Sequence, residues 1–170
     1  MTSGLLTANV RLLRQGESVL GALDRGAFSG GEPGKRGSVG SHLRHCLDFY
    51  DAFLHGLATG TVDYGDHAHE ARTEKDPTVA LARIEGTVHR LEAQDVAHWP
   101  GTVQVRLLDA LEGEAEIAES TPERELQMLL GHTEHHYALI ALLLQQAGHA
   151  VPADFGVAKA TLPREAKPAR

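Results

Sequence analysis

The chain has 170 residues, a single cysteine and a formal charge of −7, from 16 Lys+Arg against 23 Asp+Glu. That length suits one domain with a sizeable core, and an acidic balance with scattered basic residues lacks the footprint a phosphate backbone requires, so nucleic acid is not an expected partner. Cys46 has no partner for an internal disulfide, no charged segment followed by an apolar run opens the chain, and no apolar stretch approaches the roughly 18 residues of a membrane span; a soluble cytoplasmic protein without a membrane partner is expected.

Leu6, Val10, Leu13, Leu20 and Leu23 recur at helical spacing after Ser3 and predict a first helix over 5–23. The glycine- and proline-rich stretch 29–37 must leave that helix. Ser38 is placed to cap a second helix with an apolar stripe of Val39, Cys46, Phe49, Phe53 and Leu57, ending near Gly60. Residues 61–76 are polar and aperiodic, which reads as a long crossover. Pro77 opens a third helix with Val79, Leu81, Ile84, Val88 and Leu91 facing inward, ending before His98-Trp99-Pro100-Gly101. Val103, Val105 and Leu107 alternate, as do Ala115 and Ile117, the pattern of a short β-hairpin. Ser120-Thr121-Pro122-Glu123 combines a cap, an early proline and a capping-box acid at the head of a fourth helix running to about Gly148. The expected fold class is all-α. It is a four-helix bundle domain over 1–150, with a long crossover between helices 2 and 3 and a short β-hairpin before helix 4, followed by a tail, 151–170, whose Phe155 and Val157 can dock on the bundle.

The fourth helix carries "GHTEHHYALI", with His132, His135 and His136 inside an apolar pattern. Burying an imidazole costs desolvation that a leucine would avoid, so a cluster on a core face asks for a partner that rewards it. His132 and His136 stand one turn apart, about 40° around the axis, on the face that also carries Leu129, Ile140 and Leu143. Two imidazoles so placed suit a divalent ion, and a catalytic zinc commonly takes three protein ligands and an exchangeable water. A third ligand must come from another helix. His45 is the best candidate, because the second helix has the other histidines embedded in an apolar face, and His42, one turn earlier, is the reserve.

His135 lies about 100° from His136 and is read as a flank. Glu134 falls about 200° around from His132, so the order here does not reproduce the zinc-protease pattern in which a glutamate directly follows the first histidine. Cys46, Tyr50 and Tyr137 read as core residues, and Asp48 and Asp51 as surface carboxylates, Asp48 being close enough to His45 to orient an imidazole. His55, His67, His69, His89, His98 and His149 read as solvated.

The segment "SVGSHLRHCLDFYDAFL" resembles the second helix of the DinB/YfiT-like superfamily, and "LLGHTEHHYALIALLL" resembles its last helix. The resemblance spans about residues 5–148. It places His45, His132 and His136 at the three metal-ligand positions and implies a four-helix bundle that often forms homodimers; His42, by its own position three residues from His45, is placed to act as a fourth ligand or an orienting contact. It further implies a divalent metal cofactor, Zn2+ or else Ni2+, and a small-molecule substrate. Relatives include metal-dependent S-transferases and isomerases that use low-molecular-weight thiols such as bacillithiol or mycothiol. The implied function is therefore a divalent-metal-binding protein with thiol S-transferase or hydrolase chemistry at a metal–water site. The alternative is a non-catalytic metal-binding or dimerisation module. The additional His42, the hairpin and the tail depart from the simplest family pattern.

Overall fold

The computed structural model describes residues 4–30, 37–65, 70–106 and 116–158. Four long helices dominate it: α1 (Gly4–Leu20), α3 (Val39–Thr59), α5 (Pro77–Glu92) and α6 (Pro122–Gln146). Helix α3 packs on α5 and α6, and α1 packs on the same two. Between them lies a core that includes Leu13, Leu43, Leu47, Phe53, Ile84, Leu91, Leu126 and Ile140. Local chemistry sets the ends. The Ser38 hydroxyl accepts from the Ser41 N–H and the Ser41 hydroxyl from the Ser38 N–H, a reciprocal box at the head of α3, while Gly60 closes that helix in the left-handed region at φ 84°. Asp76 caps α5 just before Pro77.

The first helix ends three residues earlier than its apolar pattern suggests, and Asp24 caps a further short helix, α2 (Arg25–Ser29), which buries Phe28. In α5, Ile84, Val88 and Leu91 face the core as expected, but Val79 and Leu81 are half-buried, and Ala80 and Thr87 take the tighter positions. At the head of α6, the cap is Thr121, whose hydroxyl accepts from the Arg124 N–H at 3.2 Å. The third helical position is then Arg124, so Glu123 closes no capping box.

The crossover is not structureless. It contains β1 (Thr61–Asp63) and α4 (Ala71–Lys75). Strands β2 (Val103–Arg106) and β3 (Ile117–Ser120) pair antiparallel, and β1 adds parallel to β2 with Val62 opposite Val105. Leu107 and Ala115 lie outside the described residues. Gly56 lets β1 lie directly on α3, where a Cβ would overlap Val62, and Gly40 does the same for α4 at the Glu74 carbonyl.

Asp48 corrects the surface reading. It is 2% exposed and held by Arg44 and Arg83, the latter at 3.1 Å, while Arg44 also meets Glu74 at 2.5 Å. Asp51, nearer the solvent, meets Arg83 at 2.5 Å and also Arg90. Asp48 is thus committed to arginines that tie α3 to α5, and α4 joins through Glu74. Phe155 docks on α6, its ring stacked on Tyr137 at 4.8 Å, with Val157 half-buried beside it. Among the described residues no helix is long and apolar enough to cross a membrane.

Candidate metal centre

Helices α3 and α6 bring His45, His132 and His136 together: one ring nitrogen from each lies within 4.8 Å of the others. Ring centroids are 5.0 Å apart for His45 and His132, 4.9 Å for His45 and His136, and 4.6 Å for His132 and His136. All three rings are half-buried at the edge of the core face. That face is occupied by Leu129, Thr133, Tyr137 and Ile140, while Leu143 is half-buried.

His42 sits against the same group. Its Nδ1 lies 2.9 Å from Nδ1 of His136, so one ring donates and the other accepts; with His136 as the donor, its Nε2 carries the lone pair that a ligand role needs. An imidazole that ligates an ion commonly has its other nitrogen fixed this way. His135 is exposed and meets the edge of His136, at 5.3 Å between centroids.

The donor set fits a divalent ion on two further observations. Nε2 of His132 is buried and has no hydrogen-bond partner among the described residues, a costly state that coordination would relieve. Burial, and after it the neighbouring imidazoles, lower His132 to about 4 and His136 to about 3, so both are neutral near pH 7, as a ligand must be. The 4.8 Å that bounds the three nitrogens is wider than the spacing of donors around a bound ion, so the rings would draw inward on binding.

The surroundings fix the rings. Phe49, one turn after His45, stacks on His132 at 4.3 Å and meets His45 edge-on at 4.7 Å. Its i+4 spacing from His45 was visible in the sequence, but read only as core. Beneath, a buried polar chain links three helices: Thr133 donates to the Tyr50 hydroxyl at 3.3 Å, Tyr50 donates to Asn9 at 2.7 Å, and the Asn9 amide donates to the carbonyls of Leu5 and Leu126. Cys46 is buried there as a core residue, its thiol pushed up by burial and away from a ligand role. His55, His89 and His98 are exposed and His149 is half-buried, whereas His67 and His69 lie outside the described residues.

Two further residues escaped the sequence reading. Glu125, in the first turn of α6, is buried and accepts from Tyr64 at 2.7 Å and Ser120 at 2.6 Å. Tyr64 in turn stacks on Phe49 at 4.8 Å.

No curated protein matches the sequence. Among solved structures, the crystal structure of a DinB-like protein, YjoA, from Bacillus subtilis superposes with a TM-score of 0.64 at 14% identity, over 88% of this chain and 96% of that one. At that identity the likeness is one of fold. The sequence profile of the DinB family matches residues 2–166, and the chain belongs to that family.

Proposed function

We propose that the protein is a four-helix-bundle metalloprotein of the DinB family that holds one divalent ion, zinc or nickel, on His45, His132 and His136, and uses it in chemistry on a small molecule. The observation that carries this reading is the convergence of three imidazoles from two helices, one with a buried, unpartnered nitrogen. An ion held there supplies Lewis acidity, lowering the pKa of a water or of a small thiol. The chain's own residues do the positioning: Phe49 packs the rings of His45 and His132, and His42 sets the tautomer of His136. Thiol transfer is preferred to hydrolysis because the family resemblance implies it.

A second reading has its own support. A turn of the His42 ring, now hydrogen-bonded to His136, would add a fourth imidazole and close the coordination sphere, which would make the ion a structural tie between α3 and α6. An exchangeable water on the bound ion separates the two readings.

Zinc titration against a competing chelator tests the site. His45→Ala, His132→Ala and His136→Ala are each expected to lower affinity by more than about 100-fold, and His42→Ala by the about 10- to 100-fold typical of an orienting contact. His135→Ala should leave it unchanged. Failure of the unchanged chain to take up either ion near neutral pH, or a loss at His135 equal to that at His136, overturns the assignment. The chemistry is tested by the reaction of small thiols with an electrophile such as monochlorobimane. Equal rates for the loaded and ion-free protein would favour the structural tie.

A further inference from the structure

A cavity of about 450 Å³ lies between the head of α6, the sheet and α3. Its apolar walls are Phe49, Tyr64, Val105 and Met128. The volume falls within the range of small-molecule sites, and walls of this kind take an apolar body. Glu125 also lines it, at 7% exposure.

Buried carboxylates are normally paired with a cation. Both oxygens of Glu125 are met by neutral hydroxyls, those of Tyr64 and Ser120, and no Lys, Arg or His among the described residues forms an ion pair with it. The two arginines in the cavity wall do not fill that role. Arg106 is held by Asp63 at 3.2 Å, and Arg124 is exposed. The remaining charged residue of the lining, Glu119, is exposed as well. A carboxylate has about four lone-pair positions. Two hydroxyl donors leave room for an N–H donor arriving from the cavity.

We propose that this cavity binds a small primary amine with an apolar body, its ammonium group hydrogen-bonded to Glu125 and its body against Phe49, Val105 and Met128. An anion is the poorer occupant, because it would be desolvated beside a buried carboxylate of like charge while the nearer cations are paired or solvated. The site does not depend on an ion at the histidines, although Phe49 stands in both, stacking on His132 and lining the cavity.

Calorimetry on the full chain, once chelated and once zinc-loaded, tests this with 2-phenylethylamine, 2-phenylethanol and 3-phenylpropionate. The amine is expected to bind most tightly in both states. Glu125→Gln should weaken it about 10- to 100-fold, the worth of a hydrogen bond to a charged group, and leave the alcohol unchanged. Met128→Trp, which fills the cavity, should abolish amine binding without altering zinc uptake. Equal binding of amine and alcohol, preference for the acid, no binding at millimolar concentration, or full amine affinity in Met128→Trp each overturns the proposal. Should Glu125→Gln not fold, the ligand ranking in the unchanged chain and the Met128→Trp result still decide it.

Discussion

At the scale of single residues, the two histidines of α6 have consequences that acid should expose. Burial moves His132 to about 4 and His136 to about 3, from the usual value of about 6.5. The unfolded chain therefore binds protons near pH 6.5 that the folded chain refuses, so stability from this source is complete above about pH 6.5 and is lost as pH falls toward 4 and 3. In the ion-free protein the melting temperature should hold steady above pH 7 and drop between pH 6.5 and 4. A His132→Gln, His136→Gln double variant should flatten that drop, and an unchanged slope would refute the assignment. The pair itself was legible as an i, i+4 repeat on an apolar face. His42 was not resolved between ligand and orienting contact, because its partner His136 is 94 residues away and no local pattern encodes a ring-to-ring contact. Glu125 escaped for a related reason: an acid in a first helical turn already has a local explanation.

Among the elements, helices announced themselves through caps and periodicity. Ser38, Gly60 and Pro77 mark boundaries that the structure reproduces within a residue. The strand β1 was hidden because three residues carry no usable alternation, and its partner β2 begins some forty positions later. Asp48 was hidden too. Of its two arginines, Arg44 is one turn away on the same helix, but Arg83 comes from α5, and only the fold unites them. Asp48→Asn should cost about 1.5–3 kcal/mol, the range for hydrogen bonds to charged groups, because Arg44 retains Glu74 and Arg83 retains Asp51. Asp51→Asn, partly solvated, should cost less than about 1 kcal/mol. Urea unfolding of both variants checks the ranking, and a reversed order would mean that the strap is anchored at Asp51 instead.

For the molecule as a whole, the described surface has two exposed large hydrophobic side chains, Ile117 at 61% and Leu142 at 50%. Leu142 lies on the outer side of α6. The homodimer implied by the family resemblance is expected to cover it, so light scattering should return twice the chain mass at micromolar concentration and Leu142→Glu should shift the balance toward the monomer. A monomer mass throughout that range would remove the expectation.

The placement of the histidines also sets an order in time. During synthesis α3 emerges long before α6, so His42 and His45 are made early and lack His132 and His136 until the last long helix arrives. On the proposed assignment, the three ligands meet only once α6 has docked, so full affinity for an ion comes late in folding. Its effect should fall on the lifetime of the finished molecule, slowing unfolding and leaving the rate of folding nearly as it is for the ion-free chain.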